Sequence, residues 1–484
     1  MPIKTGKGYI ENLNKLSPEV WLGGERVQGL ISEHPAFRGL VESQAALYDM
    51  QSEESLRATM TYLSPATGDP VGLSFLQPKT KEDLQKRRKM MSLWAESHHG
   101  FLGRSPDYMN TALVAFSSAS GLLEDKYPKH AENLKNYYVY CRENDITLSH
   151  GFIQSKASIL SAVISDNPEQ STAAKVHEIN QDGYVVSGSF MMNTQGATSE
   201  EMLVYPQPIA VSESVNPYAF FFAVPSNLKG ITFVCRENTL AGTSGYDYPL
   251  SSRYEEMDTL VILDHVLVPH DRMFLYGDEE MAVDLFERSH FHTLVSHQIL
   301  CRYIAKTEFL IGVLEYMADC LDKSEDFFVI ERVSEILITL EILKSIVIAS
   351  EEQSELNEWG IMLPSPKPLY AANAYYPKIY PKIIETIQLL GSSDLIMLPK
   401  EQDFNSPVSR YLDSYLSGAG IDAYDKVNLF RLAWELGVSA FGGRQMQYER
   451  FFFGNQDTLM ARAYANLSDR EKYIDKVKRL MKNK

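Results

Sequence analysis

Apolar positions recur at helical spacing over the first third of the chain. Segments 81–99 and 106–125 carry apolar residues three and four positions apart, which is the spacing of one helix face. The pattern then changes to β-rich runs separated by Gly and Pro turns, in residues 176–190, 217–238 and 257–277. We therefore expect a helical segment followed by an antiparallel β domain.

Helical spacing returns after Gly277 and predicts long, packed helices. The apolar positions that carry it are Leu310, Leu314, Met317 and Leu321, and then Val333, Ile336, Leu337, Leu340 and Leu343. The order along the chain is therefore helical, β, helical. We expect an α+β protein with an N-terminal helical domain over residues 1–145, a middle β domain over 146–277 and a helical bundle over 278–484.

Composition places the chain among ordinary globular proteins. Of its 484 residues, 44% are apolar and 23% are charged, and this length suggests about three domains. The formal net charge of -17 repels a phosphate backbone, so nucleic acid is not an expected partner.

The cysteines and the N-terminal segment indicate the cellular compartment in which the protein is expected. Cys141, Cys235, Cys301 and Cys320 lie far apart, which fits neither a disulfide framework nor a metal knuckle. The N-terminus has no apolar signal region, and the longest apolar run is too short to span a bilayer. We expect a cytoplasmic protein with no membrane span.

Three common catalytic motifs are absent from the sequence: H-E-x-x-H, G-x-x-x-x-G-K-[ST] and G-x-S-x-G. Residues 418–423 match a relaxed dinucleotide fingerprint, but they follow a helical segment instead of a strand, so we interpret them as a helix-ending turn. His290, His292 and His297 cluster, yet no carboxylate pattern completes a metal site. We predict no metal.

Three residues form a candidate constellation. Arg104 and Tyr108 lie four positions apart where a turn ending in Pro106 begins a helix, so both can face one pocket. His150 lies at the junction of the helical segment and the β domain, and such junctions form clefts. Taken alone, each has an ordinary interpretation: a surface ion pair for Arg104, a core aromatic for Tyr108 and a hydrogen-bonded buried imidazole for His150.

Long blocks of sequence carry a family resemblance. They are residues 103–110, 149–152, 247–278, 297–313 and 429–454. With these blocks the chain resembles the oxygenase components of 4-hydroxyphenylacetate 3-monooxygenases, two-component phenol hydroxylases in a superfamily that includes 4-hydroxybutyryl-CoA dehydratase. The resemblance implies the acyl-CoA dehydrogenase-like fold, in which a C-terminal four-helix bundle assembles a homotetramer.

The same resemblance implies an activity. One oxygen atom from O2 enters ortho to the hydroxyl of a 4-hydroxyphenylacetate-like phenol, via a hydroperoxide of FAD that a separate NAD(P)H-flavin reductase has reduced. Arg104, Tyr108 and His150 then surround the phenolic oxygen and stabilise its developing negative charge. An unperturbed histidine titrates near neutral pH, so His150 is the expected proton acceptor.

Flavin contacts also follow from the resemblance. The expected cofactor-binding residues are His150, Gly151, Phe152, Thr194, Gln388, Gly391, Phe441, Gly442, Gly443 and Arg444. The glycines of 441–444 permit close backbone approach, Arg444 supplies charge for the pyrophosphate, and residues 387–393 reach the FAD of a neighbouring subunit.

The chain departs from the family pattern at two places. Residues 154–159 replace an Asn-Pro-x-x-Asp-Arg motif, and here Gln154 and Lys156 are expected to contact the cofactor, with Lys156 supplying the lost charge. A substrate-side Ser-Thr pair is replaced by Gln207 and Pro208, which leaves the natural phenol open.

Other functions stay open beside the hydroxylase. A dehydratase requires an iron-sulfur cluster held by cysteines, and no cysteine lies between Met1 and Tyr140. An acyl-CoA dehydrogenase requires a catalytic carboxylate, which the sequence does not place. A non-catalytic flavin-binding relative is compatible with the loss of the Asp-Arg pair.

Overall fold

The N-terminal segment is mainly helical. The computed structural model describes residues 3–164, 171–211, 215–467 and 469–482. The helices of this segment are α1 (Gly6–Leu16), α2 (Arg38–Ser52), α3 (Arg57–Met60), α4 (Lys81–Ser97), α5 (Pro106–Ser118) and α6 (Pro128–Asn144). Its short strands are β1 (Val20–Leu22), β2 (Glu25–Arg26), β3 (Thr61–Leu63) and β4 (Pro70–Gly72). Helices α4 and α5 confirm the spacing argument.

The middle of the chain forms two sheets. Its elements are β5 (Leu148–Gly151), α7 (Lys156–Ile164), β6 (Lys175–Ile179), β7 (Gly183–Thr194), β8 (Glu201–Val204), β9 (Asn216–Pro225), β10 (Ile231–Cys235), α8 (Ser251–Tyr254), β11 (Asp258–Pro269) and β12 (Met273–Gly277). One sheet has the order β2-β1-β10-β11-β7-β6 and the other has the order β12-β9-β8-β5. Phe190 and Val261 of the first share one apolar core with Phe222 of the second, so the two sheets form a sandwich.

Most strand pairs are antiparallel, as expected, but two are parallel. Strand β5 pairs with β8, and β1 pairs with β10. Strands β1 and β2 come from the N-terminal segment, so the larger sheet draws on residues before the predicted boundary at 145. Alternating apolar residues predict a strand but do not identify its partner, which is why the sequence did not reveal these pairs. The boundaries of the three domains stay a prediction.

Helices fill the rest of the chain. They are α9 (Glu279–Arg288), α10 (Phe291–Cys320), α11 (Phe327–Glu352), α12 (Pro366–Gly391), α13 (Glu401–Phe404), α14 (Ser409–Tyr415), α15 (Ala423–Gly437), α16 (Ala440–Phe451), α17 (Gln456–Leu467) and α18 (Arg470–Lys482), with a β13–β14 hairpin (Glu355–Leu356 and Met362–Leu363). Helices α10, α11, α12 and α15 pack together as the expected four-helix bundle.

The core of the bundle follows the predicted pattern with one exception. Leu310 and Leu314 of α10 are fully buried, as is Leu343 of α11. Leu337 of α11 is instead 42% exposed and faces outward. An apolar stripe that is wider than one packing face explains the difference, since the same helix also exposes Ile338 and Ile342.

Candidate active site

The buried side chains of Arg104, Tyr108 and His150 meet between helix α5 and strand β5. Pro106 begins α5 with Arg104 just before it, and His150 lies on β5 at the edge of the smaller sheet. The guanidinium carbon of Arg104 is 4.1 Å from the centre of the Tyr108 ring. Arg104 Nε also donates a 2.8 Å hydrogen bond to His150 Nε2. The three candidate residues therefore form one cluster.

His150 is a neutral imidazole. Its Nε2 accepts from Arg104, so its proton is on Nδ1. Burial and the Arg104 charge lower the pKa of His150 well below its ordinary value. His150 is thus moved away from the near-neutral pKa on which its expected role as proton acceptor rested. Nδ1 is buried and has no hydrogen-bond partner among the described residues, so it is a donor available to a bound molecule.

Arg104 is held as a cation by groups that the sequence did not reveal. Its Nη1 donates to the Tyr448 hydroxyl, and its backbone N–H donates to Glu256 at 2.8 Å. Burial opposes the charge, but Tyr448, Tyr108 and Glu256 outweigh it and raise the pKa of Arg104. A Cβ on Gly103 would lie 2.2 Å from the Tyr448 ring, so only glycine permits this contact.

Tyr448 had one signal in the sequence. It lies four residues after Arg444 on α16, so the two share one helix face. Because Arg444 is an expected cofactor-binding residue, a side chain on the same face of α16 is a candidate for the same site.

An ion-pair network lies beside this cluster. Arg444 donates to both carboxylate oxygens of Asp258, at 2.9 and 3.1 Å, and to Glu256 at 3.0 Å. Arg236 also pairs with Asp258, at 2.9 Å. Burial alone would raise the pKa of Asp258, but Arg444 and Arg236 hold it below its ordinary value. The Arg444 charge is thus balanced within the protein, and its role toward a pyrophosphate stays a prediction.

A cavity of about 540 Å³ opens next to Tyr108. Aromatic rings form much of its wall, namely those of Tyr108, Phe152, Tyr205, Phe286, Phe291, Phe452 and Phe453. Phe152 stacks on Tyr205 with ring centres 5.3 Å apart. Burial raises the pKa of Tyr108, although Arg104 acts in the opposite direction, so its hydroxyl keeps its proton and can donate. The size and lining suit a small aromatic molecule.

The candidate glycines differ in the space around them. A Cβ on Gly443 would meet nothing within 4 Å, whereas one on Gly442 would lie 2.4 Å from the Leu436 carbonyl oxygen. Gly151 packs against Phe190, with a Cβ distance of 3.0 Å. Gly443 is therefore the glycine of this group that leaves room for a ligand. Phe441, two residues before Gly443, is buried in the core.

Other expected cofactor ligands contact protein groups. The Gln154 side chain accepts from Ala174 N at 2.8 Å, and the Thr194 hydroxyl donates to Asp258 at 2.7 Å. Gln388 donates to the Gly437 carbonyl, and a Cβ on Gly391 would meet Leu395. Lys156 is exposed at the start of α7. Their roles as flavin ligands stay predictions.

The three clustered histidines point to different partners. His290 contacts Glu358, His297 contacts Glu351, and His292 contacts Arg462. Within the described ranges, no group of three or more His, Cys, Asp or Glu side chains is arranged to hold a metal. Over the same ranges, no helix is long and apolar enough to cross a membrane.

Comparison with known proteins identifies the family. Residues 5–275 match the profile described as 4-hydroxyphenylacetate 3-hydroxylase N terminal, and residues 282–482 match the C terminal profile. The chain belongs to the 4-hydroxyphenylacetate 3-hydroxylase family. It is 41% identical to a probable 4-hydroxyphenylacetate 3-monooxygenase of Bacillus subtilis, over 97% of both chains. It is 39% identical to the 4-hydroxyphenylacetate 3-monooxygenase oxygenase component of Geobacillus sp., over 100% of this chain and 97% of the relative. The resemblance seen in the sequence is confirmed.

Solved structures of this 4-hydroxyphenylacetate 3-hydroxylase family show the same fold. The oxygenase component (HpaB) of 4-hydroxyphenylacetate 3-monooxygenase, complexed with FAD and 4-hydroxyphenylacetate, matches with a TM-score of 0.92 and 36% identity, over 99% of this chain and 98% of that one. A 4-hydroxybutyryl-CoA dehydratase from N. maritimus matches with a TM-score of 0.85 and 20% identity, over 99% of this chain and 94% of that one. The second likeness is one of fold alone. The acyl-CoA dehydrogenase-like fold expected from the sequence is confirmed.

Proposed function

We propose that the chain is the oxygenase component of a two-component monooxygenase, which uses reduced FAD and O2 to hydroxylate a phenol ortho to its hydroxyl. The observation that carries the proposal is the buried Arg104 cation, which contacts both Tyr108 and His150 beside an aromatic cavity. Such a cation stabilises negative charge that develops on a phenolic oxygen. Two close relatives are named for the same activity, which supports it.

Tyr108, Arg104 and His150 have different roles in the proposed reaction. Tyr108 lines the cavity, and its protonated hydroxyl donates a hydrogen bond there. Arg104 lies over the Tyr108 ring and lowers the energy of the phenolate form. His150 orients the Arg104 guanidinium by accepting from its Nε, and its neutral imidazole leaves Nδ1–H as a donor to the flavin.

Two observations support a place for FAD in this chain. His150 Nδ1 is a buried donor without a protein partner among the described residues, and Gly443 faces open space at the first turn of α16. The residues that would hold the cofactor are His150, Gly151, Phe152, Thr194 and those of 441–444. When bound, reduced FAD supplies the electrons that activate O2 for transfer of one oxygen atom. The aromatic rings of the cavity wall give that reaction apolar surroundings, which disfavour water beside the rings.

A direct assay tests this function. We expect the purified chain, given photoreduced FAD, O2 and a panel of phenols, to yield a product heavier by one oxygen atom. NADH is not expected to be consumed unless a flavin reductase is added, because no nicotinamide fingerprint stands in a strand-to-helix context. Omitting FAD is the control. Binding of FAD without any oxygenated product would identify a non-catalytic relative instead.

We also propose that the chain forms a homotetramer in the cytoplasm. The support is an outward apolar face on α11, where Leu337, Ile338 and Ile342 are each more than 35% exposed and line a groove of about 560 Å³. Burying such a face between copies removes apolar surface from water. The buried free cysteines fit a reducing compartment.

Light scattering tests the assembly. We expect a particle of about four times the 54.8 kDa chain mass at micromolar protein concentration. Ile338→Glu places a charge in the exposed apolar face and is expected to shift the particle toward smaller species. Glu331→Gln, at an exposed polar position of the same helix, is the matched control. An active monomer in the wild-type protein would contradict the proposal.

A further inference from the structure

A chain of buried polar side chains connects the N-terminal helices to the turn that carries Arg104. It consists of Tyr9 of α1, Gln44 of α2, Gln195 directly after β7 and Glu256 just before β11, and each of these residues is at most 2% exposed. The Tyr9 hydroxyl donates to Gln44 Oε1 at 2.6 Å, and Gln44 Nε2 donates to Gln195 Oε1. Gln195 Nε2 then donates to Glu256 Oε1 at 2.9 Å.

The carboxylate at one end fixes the direction of every bond in this polar chain. A carboxylate only accepts, so Gln195 presents its NH2 group to Glu256 and its carbonyl oxygen to Gln44. Gln44 then presents its NH2 group to Gln195 and its oxygen to the Tyr9 hydroxyl. Burial and the Glu200 charge raise the pKa of Tyr9, so this hydroxyl keeps the proton that it donates. Because a flipped amide would leave buried polar groups unpaired, the polar chain has one low-energy arrangement.

The backbone of Gln195 is held in an unfavourable conformation. Its φ of +62° lies in the left-handed region, which a residue with a Cβ rarely adopts. The Gln195 backbone N–H donates to the Met257 carbonyl at 2.8 Å, and its carbonyl oxygen accepts from Thr198 N at 3.0 Å. Such conformations persist where the surroundings fix them, and they are frequent at functional sites. The backbone of Gln195 is thus fixed beside the segment that carries Glu256.

Glu256 connects the polar chain to two arginines of the candidate active site. Its Oε1 also accepts from the backbone N–H of Arg104 at 2.8 Å, in the turn before α5. Its Oε2 accepts from Arg444 at 3.0 Å. Donors from three separate segments of the chain therefore meet at one carboxylate. A rotation of this carboxylate would shift residue 104 and break the contact with Arg444.

The position of Arg104 matters for the proposed reaction. Its side chain donates to the neutral groups His150 Nε2 and the Tyr448 hydroxyl, so its contact with a carboxylate is the one that its backbone N–H makes with Glu256. A cation lowers the energy of a developing phenolate only when it lies where the charge forms. A displacement of about 1 Å can reduce catalysis by about a hundredfold.

We infer that Gln195 is a positioning residue, which orients the Glu256 carboxylate and thereby holds Arg104 at the phenol oxygen. The inference rests on the proposed function and adds a residue to it. Gln195 is not among the described residues of the cavity wall, so it acts through Glu256 and not on the phenol itself. Gln44 and Tyr9 keep the Gln195 amide in the orientation that donates to Glu256.

Binding of a phenol without turnover tests this role. The probe is 4-hydroxyphenylacetate, titrated calorimetrically into the full chain with oxidised FAD. Gln195→Met keeps the length of the side chain but loses both of its hydrogen bonds, and we expect it to weaken binding of the probe by about tenfold. The kcat/KM of hydroxylation is expected to fall at least as far, because the phenolic oxygen carries more charge in the transition state than in the bound phenol.

Gln51→Met is the matched control. Gln51 of α2 is also buried and also donates to a buried carboxylate, Asp145 Oδ2, at 2.8 Å. The other donor to that oxygen is the backbone N–H of Lys4, so this carboxylate does not hold Arg104. We expect a similar loss of stability from both variants in urea unfolding, but unchanged phenol binding in Gln51→Met. Wild-type binding by Gln195→Met, or an equal loss of binding in the two variants, would overturn the inference.

A double-mutant cycle separates an effect through Arg104 from a direct effect on the cavity. If Gln195 places the Arg104 side chain, Gln195→Met is expected to change binding by less than about twofold once Arg104 is replaced by alanine. The same tenfold loss in both backgrounds would show that Gln195 supports the cavity independently of Arg104, and the inference would be wrong. Gln44→Met breaks the polar chain one bond earlier and is expected to weaken binding in the same direction but less. It takes the place of Gln195→Met in every comparison if that variant does not fold.

The binding and turnover results separate the two proposals. If Gln195→Met weakens binding as expected but no phenol yields an oxygenated product with the wild-type protein, the positioning role stands and the hydroxylase proposal fails. If the wild-type protein forms product and Gln195→Met changes neither binding nor kcat/KM, the hydroxylase stands and the positioning role is wrong.

Discussion

Arg104→Ala is expected to lower hydroxylation by about a hundredfold, the usual effect of removing one preorganised donor at a developing charge. The variant loses the cation over the Tyr108 ring and the hydrogen bond to His150 Nε2. The fold is expected to survive, because the contact of residue 104 with Glu256 uses the backbone N–H, which alanine keeps. Product formation with photoreduced FAD measures the effect.

Two further measurements make the Arg104 result specific. Circular dichroism and thermal unfolding report whether the variant is folded. Arg104→Lys keeps the positive charge but cannot reproduce the planar contacts to both His150 and Tyr448, so its activity is expected between those of alanine and wild type. Undiminished turnover in Arg104→Ala would show that Arg104 is only a structural cation.

Glu449→Ala is expected to destabilise the protein by about 3–5 kcal/mol, because it leaves two buried cations without their counter-charge. Glu449 on α16 accepts from Arg302 at 2.8 Å and from Lys306 at 2.6 Å, and all three side chains are almost fully buried. Burial opposes ionisation, but Arg302 and Lys306 lower the pKa of Glu449 to about 2. The pairs join α16 to α10.

Urea unfolding measures this loss. Glu315→Ala, at an exposed position of α10, is the control and is expected to change stability by less than about 0.5 kcal/mol. A loss in Glu449→Ala as small as that of the control would mean that the two cations find other partners. Because Glu449 is adjacent to Tyr448, activity is expected to fall as well through displacement of the Arg104 partner.

Local patterns of apolar residues in the sequence predicted much of the fold. The apolar spacing predicted α4, α5, α10 and α11, since a helix face is a property of neighbouring residues. The outward position of Leu337 was not predictable, because spacing shows that a face is apolar and not which surface covers it. The parallel pairing of β5 with β8 was missed for a similar reason.

The site was predicted in part. The resemblance pointed to Arg104, Tyr108 and His150, and the structure brings them together. The bond between Arg104 and Tyr448 joins positions 344 residues apart, which no local pattern reveals. The depressed pKa of His150 depends on burial and on the nearby guanidinium, and both exist only in the folded chain.

The pairing of β1 with β10 sets an order of events during synthesis. In the folded sheet Val20 of β1 lies opposite Phe233 of β10. Strand β1 is synthesised first and can pair with β10 only after roughly two hundred further residues have been synthesised. Until then β1 has only the two-residue strand β2 beside it in that sheet. After β10 has been synthesised, its backbone N–H and C=O groups on the β1 side stay unpaired until β1 binds there. Unpaired groups of this kind can pair with a strand of another chain. In the folded protein β1 and β2 therefore cover the edge of β10, and we expect this to keep that edge from pairing with other chains.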